Sequence, residues 1–236
     1  ATAADIAVAG AGSPFCAGTT AKLTASSTTV TNPIFTWYKD AGLTDVAFTG
    51  AEFTTPVLTA TTTYYVTVKG DNRCDNTAAT AKVITVTVNP PASAADLAVA
   101  GAGSPFCAGT TATLTASSTT VTNPVFTWYS DAALTNAVFT GAEFTTPVLT
   151  ATTTYYVTVR GSNRCENLAA SAKVVTLTVN PLPETPDVAS AGTSICSGES
   201  TVLKVNNAEA GILYQWYSAS VGGTLLFTGE EFTTPV

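Results

Sequence analysis

Residues 61–69 read Thr-Thr-Thr-Tyr-Tyr-Val-Thr-Val-Lys, and residues 152–160 read Thr-Thr-Thr-Tyr-Tyr-Val-Thr-Val-Arg. β-Branched and aromatic residues fill every position but the last, which is the composition of a strand. Alternation puts Tyr64, Val66 and Val68 on one face and Tyr65 and Thr67 on the other. The recurrence extends far beyond this stretch. Residues 5–95 return as residues 96–186 with 71 of 91 positions identical, and a more divergent copy starts at Asp187. Five of the twenty differences fall in the connector after Asn89 and Pro90, three form the run Asp45-Val46-Ala47, and the rest are scattered singly. A period of 91 residues is too long for a solenoid turn and suits an autonomously folding sandwich, so the chain reads as a tandem array of globular modules. The expected boundaries are 1–91, 92–182 and 183–236. The third module stops at the equivalent of Val57, two strands short, and the chain is expected to be a piece of something longer.

Working outward from 61–69, Gly, Pro, Asn and Ser punctuation cuts one repeat into about seven strands, expected at 6–9, 21–26, 34–39, 46–49, 52–57, 63–69 and 82–88. Period-two alternation turns Ala21, Leu23, Ala25, Phe35, Trp37, Tyr64, Val66, Val68, Ile84, Val86 and Val88 inward. The differences between copies agree with these faces. Lys22, Lys39 and Lys69 become Thr113, Ser130 and Arg160 at outward sites, whereas Ile34, Ile84 and Val86 become only Val125, Val175 and Leu177. The fold class is therefore all-β.

Charged residues make up 11% of the chain, and its net charge of −7 comes with nine basic residues that form no patch. A nucleic-acid surface is excluded on that ground. The absence of histidine removes the commonest general base and metal ligand, so no Ser-His-Asp set exists and neither a catalytic site nor a cofactor is expected. No apolar run approaches the ~18 residues that span a bilayer, and Ala-Thr-Ala-Ala-Asp at the start lacks the pattern of a signal peptide. No membrane insertion is expected in this segment, and any export signal or anchor is expected outside it. Asp71, Asn72, Asp75 and Asn76 crowd one loop with oxygen ligands of the calcium type. The second copy thins the acidic set to Ser162, Asn163, Glu166 and Asn167; Asn-rich turns are ordinary, and no metal site is assigned. Cys16 and Cys74, Cys107 and Cys165, then Cys196 alone, lie far apart without any C-x-x-C, which points to disulfides in an oxidising compartment rather than to zinc.

The residues around these strands resemble the immunoglobulin-like superfamily. Residues 18–25 look like its second strand, Trp37-Tyr38-Lys39-Asp40 like its Trp-bearing strand, and residues 61–66 like the approach to its corner tyrosine, here Tyr64 and, in the second copy, Tyr155. Trp128 and Tyr129, and Trp216 and Tyr217, repeat the pattern. The Cys-Ala-Gly or Cys-Ser-Gly turn, Phe-Thr-Thr-Pro, Thr-Thr-Thr-Tyr-Tyr-Val and a following Cys are similar to the Ig-like repeats of large secreted Bacteroidetes proteins. Those are associated with type IX secretion, surface adhesins and gliding motility. The resemblance implies a scaffold class rather than a ligand. Ala25 and Val66 stand where the buried disulfide of antibody domains would sit, so Trp37 is expected to pack on aliphatic atoms.

In the topology that the resemblance implies, the strands after Cys16 and before Cys74 run the same way, which places these two cysteines at opposite ends of one sandwich. That favours a bridge between modules, Cys16 to Cys165, with Cys107 and Cys196 meant for downstream copies and Cys74 for an upstream one. Counting alone leaves the intra-module pairs, Cys16 with Cys74 and Cys107 with Cys165, open.

Trp37, Trp128 and Trp216 are assigned to the core with Tyr64 and Tyr155. Tyr38 and Tyr65, with Tyr129 and Tyr156, have outward parity on neighbouring strands and form a candidate binding face as well as a cross-strand pair. The function expected is a structural stalk or filament segment of a secreted, cell-surface, adhesin-like protein, its partners being neighbouring repeats. The alternatives are a module binding a surface glycan or protein through that tyrosine face, and accessory domains of a larger secreted enzyme.

Overall fold

Short runs of Thr, Val and aromatic residues pair into two layers in each of the first two repeats. The computed structural model describes residues 1–12, 14–103, 105–189 and 194–236. The first repeat comprises β1 (Ala7–Ala9), β2 (Phe15–Cys16), β3 (Lys22–Ser26), β4 (Ile34–Tyr38), β5 (Val46–Thr49), β6 (Glu52–Thr54), β7 (Thr62–Lys69), β8 (Lys82–Val86) and β9 (Val88–Asn89). One sheet has the order β1-β3-β6 and the other β5-β4-β7-β8, all antiparallel. The second repeat runs through the same series as β10 (Ala98–Ala100), β11 (Phe106–Cys107), β12 (Thr113–Ser117), β13 (Val125–Tyr129), β14 (Ala137–Thr140), β15 (Glu143–Thr145), β16 (Thr153–Arg160), β17 (Lys173–Leu177) and β18 (Val179–Asn180). Among the described residues the helical pieces are 3₁₀ turns of three residues, such as Ala3–Asp5 and Ala94–Asp96, and no helix is long and apolar enough to cross a membrane.

The alternation of each strand decides what fills the space between the sheets. Ala21, Leu23 and Ala25 face Phe35, Trp37, Val66, Val68 and Val86, all buried. Trp37 is fully buried and its Nε1 donates to the carbonyl of Gly50 at 3.0 Å. Gly50 is required there: its φ is +141°, and a Cβ would stand 2.9 Å from the Phe48 ring. The expectation of a purely aliphatic setting for Trp37 fails. Phe53 on β6 packs on the indole with ring centres 5.2 Å apart, and Tyr64 meets the same Phe53 edge-on at 5.1 Å. The missing cystine is thus replaced by an aromatic cluster, repeated as Trp128, Phe144 and Tyr155.

Two strand ends differ from the sequence reading by more than one residue. The strand expected at 52–57 ends at Thr54, because the Thr55 side chain turns inward to accept the backbone N–H of Ala21 at 2.9 Å. The strand expected at 82–88 breaks at Thr87. β8 pairs antiparallel with β7, whereas β9 pairs parallel with β2, Phe15 opposite Val88 and Cys16 opposite Asn89. The last strand therefore changes partners within three residues.

The first two repeats lie in one compact unit, Ala1–Pro181, and Leu182–Val236 form another. The second unit holds β19 (Val188–Ala189), β20 (Val202–Val205), β21 (Gln215–Tyr217), β22 (Leu225–Thr228) and β23 (Glu231–Thr233). Its sheets are β19-β20-β23 and the pair β21-β22. Trp216 keeps the bond from Nε1 to a glycine carbonyl, Gly229 at 2.9 Å, but is only half-buried, and Phe227 and Leu213 are exposed. The hairpin that covers Trp37 in the first repeat, β7 with β8, has no counterpart among the described residues of this unit.

Candidate functional site

The arrangement with the most specific geometry is the junction between the first and second repeats. Its centre is the extended segment from Val88 to Ala92. On one side Phe15 and Ala17 donate their backbone N–H groups to Thr87 and Asn89 at 2.8 and 3.0 Å. On the other side Cys165 donates to Pro90 at 3.0 Å and accepts from Ala92 at 2.8 Å, which makes Pro91 and Cys165 a parallel bridge. The Asn89 side chain adds a bond to the carbonyl of Ser162 at 2.9 Å. A chain segment bonded on both edges needs no further element to satisfy its polar backbone, which is what a short Pro-bearing connector otherwise lacks.

Cys16 and Cys165 close over this segment. They form a disulfide with Cα atoms 5.7 Å apart, joining residues 149 positions distant. That separation lies in the ordinary range for a cystine. Cys74, Cys107 and Cys196 are free and exposed.

The loop that presents Cys165 is built by asparagines. Asn163 accepts from the Thr122 N–H at 2.8 Å and donates to the Thr120 carbonyl at 2.9 Å. Asn167 is buried, accepts from Val159 at 2.8 Å and donates to Ser171 at 2.9 Å. Gly161 is held so close to the carbonyl of Thr122 and the Val121 side chain that a Cβ would clash with both. The asparagines weighed as calcium ligands thus act as backbone clamps: Asn72 and Asn76 make the equivalent bonds in the first repeat, while Asp71 accepts from the Asn32 side chain and Asp75 faces Lys69. Among the described residues no group of three or more cysteine, aspartate or glutamate side chains is arranged to hold a metal.

Asp96 anchors the incoming side. Its carboxylate accepts from Ser93 N and Oγ and from Thr120 Oγ1, and lies 3.7 Å from Nε of Arg164, the neighbour of Cys165. The Ser93 and Thr120 bonds hold its pKa below the usual carboxylate range. Asp5 does the same work in the first repeat, where the bond from Thr29 and then that from Thr2 lower its pKa to about 2.

The tyrosine face is a second, weaker candidate. Tyr38 lies opposite Tyr65, and Tyr129 opposite Tyr156, each half-buried on the outer face of its sheet. In the second repeat the Tyr129 hydroxyl donates to Glu166 at 3.0 Å, and burial, then Glu166, raises its pKa. Trp37, Trp128, Tyr64 and Tyr155 are buried and present nothing to a ligand. Sequence reasoning missed the parallel pairing of β2 with β9 and of β11 with β18, together with the roles of Asn89, Ser162 and Asp96. The unchanged Phe-Cys and Val-Asn dipeptides in both copies were the available signal.

No protein of curated function matches the sequence. Among solved structures, a marsupial T cell receptor matches at 12% identity and a TM-score of 0.43, over 98% of each chain. A chain from the mouse coronavirus receptor-binding domain complexed with its murine receptor matches at 9% identity and 0.37, covering 75% of this chain and 100% of that one. The human OSCAR ligand-binding domain matches at 14% and 0.33, covering 72% and 95%. Likeness this distant assigns no role. The sequence profile of the family described as Ig-like domain, CHU_C associated, matches residues 4–90, 94–181 and 183–236, three times in tandem over nearly the whole length. The chain belongs to that family of Ig-like domains.

Proposed function

We propose that the chain is a structural spacer: a run of Ig-like modules in the stalk or filament of a secreted, surface-displayed protein of the adhesin type, in the manner of the Bacteroidetes repeats it resembles. The junction is the observation that carries this reading. A binding module needs a face but no built junction; here the connector between the first two repeats is bonded on both edges and covered by a disulfide. Near-identical repetition fits the same role, because length is the property that copying supplies. A disulfide of this kind persists in an oxidising compartment, which supports an extracellular location. The role is mechanical rather than catalytic, and the partners are the neighbouring repeats.

Small-angle scattering on chains carrying one, two and three further copies of residues 1–91 tests the reading. A spacer gains a constant increment of maximum dimension per copy, and growth as the cube root of mass overturns it. The rival, a glycan- or protein-binding module, predicts ligand capture lost on Tyr38→Ala with Tyr65→Ala. The bond of Tyr129 to Glu166 speaks for packing instead, since the hydroxyl is already engaged.

A further inference from the structure

We propose that the loop carrying Cys74, residues 70–76, is a preformed docking face for another module of this family placed ahead of Ala1, and that Cys74 closes a disulfide with that module's counterpart of Cys16. The proposal rests on the spacer reading and says which face of the first repeat accepts a partner.

Three observations converge on this loop. The same position in the second repeat is already bonded, Cys165 to Cys16, so the chain contains a finished copy of the proposed junction. The loop also has its working shape without the bond. Asn72 accepts from Thr31 at 2.9 Å and donates to Thr29 at 3.0 Å, Asn76 accepts from Val68 at 2.8 Å, and Gly70 and Arg73 bond to each other, matching the clamps around Cys165. Finally, the end of the incoming connector is in place. The Ala1 nitrogen donates to the carbonyl of Cys74 at 2.7 Å, as the Ala92 nitrogen does to Cys165 at 2.8 Å. What the finished junction adds is a second edge, supplied by a strand like β2 and an asparagine like Asn89. The first repeat differs from the second here by Asp71 for Ser162 and Asp75 for Glu166. Ser162 gives Asn89 only its backbone carbonyl, which Asp71 also has.

The covalent step is thiol–disulfide exchange with a low-molecular-mass disulfide as oxidant. One protein thiolate attacks the oxidant and releases one small thiol. The second protein thiolate then displaces the other, so that two cysteines and one small disulfide become one cystine and two small thiols.

The test places one further copy of residues 1–91 ahead of Ala1 in the full chain. The protein is folded in mixed reduced and oxidised glutathione, then mapped by non-reducing peptide analysis with a count of free thiols. The proposal predicts a peptide joining the added copy's Cys16 to Cys74. The free thiols then number three of seven cysteines, namely the added copy's Cys74 together with Cys107 and Cys196. Five free thiols, or Cys74 joined elsewhere, overturns it. Cys16→Ser in the added copy should expose Cys74 and raise the count to four while leaving Cys16–Cys165 intact; a Cys74 that stays blocked in that variant also overturns it. Cys16–Cys165 separates the two readings. If it forms and Cys74 stays free, this inference alone fails; if it is absent, the braced-spacer reading fails with it.

Discussion

Cys16 and Cys107 occupy the same place in two repeats identical at 71 of 91 positions, each on a two-residue strand paired in parallel with the end of its own repeat. One is bonded and the other is free. The same holds for Cys165 and Cys74, with the fates exchanged. The difference therefore lies in what stands next to the repeat rather than inside it, and the cysteines belong to the junction. A second contrast is internal. Glu166 accepts from the buried Thr158 hydroxyl at 2.6 Å and from Tyr129, whereas the shorter Asp75 turns out toward Lys69 at 4.0 Å. Thr67, the equivalent of Thr158, is left buried with its hydroxyl unpaired. One methylene separates a satisfied outer sheet face from an unsatisfied one.

The first way to break the cysteine comparison is to remove each thiol in turn. Cys165→Ser opens a closed loop spanning 149 residues, which costs about 5 kcal/mol by loop-closure entropy. Cys74→Ser and Cys107→Ser should stay within about 0.5 kcal/mol of the parent, as exposed sites do. Urea unfolding under non-reducing conditions reads all three, and a Cys107→Ser cost comparable to that of Cys165→Ser would show the effect to be local after all. Next in size, Trp128→Ala in the closed second repeat is expected to cost about 3–5 kcal/mol. Trp216→Ala, at a half-buried site, should cost clearly less in the unfolding of its own unit; equal losses would mean that the third repeat is as well packed as the second.

The glutamate comparison gives smaller numbers. Asp75→Glu supplies the Thr67 hydroxyl with its missing acceptor and should stabilise by about 1 kcal/mol, while Glu166→Asp should destabilise by about 1–2 kcal/mol. Stability that falls in both variants would mean that the two outer faces are not interchangeable. In Glu166→Gln the Tyr129 phenol should titrate lower than in the parent, since the neighbouring charge no longer opposes ionisation, and ultraviolet titration reads this. The smallest effect concerns pH. The folded-state pKa of Asp5 is depressed to about 2 by Thr29 and Thr2, below the ordinary value of about 3.9. Its contribution is therefore complete above about pH 4 and is lost as pH falls toward 2. Asp96 shifts in the same direction. Thr29→Val should flatten the acid limb of a stability profile, and an unchanged limb would remove Asp5 from the account.

The layers of the sandwich are legible in the sequence because two copies with scattered differences act as their own mutational record. Lys22 and Lys39 lose their charge in the second copy, where Ile84 and Val86 vary only in shape. Periodicity stops being informative where a strand is two residues long: Phe15–Cys16 and Val88–Asn89 have no alternation to read, so the parallel pairing that builds the junction stays hidden. The aromatic partner of Trp37 was hidden for a different reason. Phe53 reaches the indole from the other sheet, and packing across a core follows from the stacking of layers, not from the order of residues along one strand.

The cystine also changes the route by which force crosses the chain. Tension that enters at Ala1 passes along residues 1–16, crosses one sulfur–sulfur bond and re-enters the backbone at Cys165. The residues between, 17–164, are bypassed by that covalent path, and roughly 500 Å of extensible chain, at about 3.4 Å per residue, stays out of reach until the bond is reduced. A cut by a protease anywhere inside that interval likewise leaves the two ends tied.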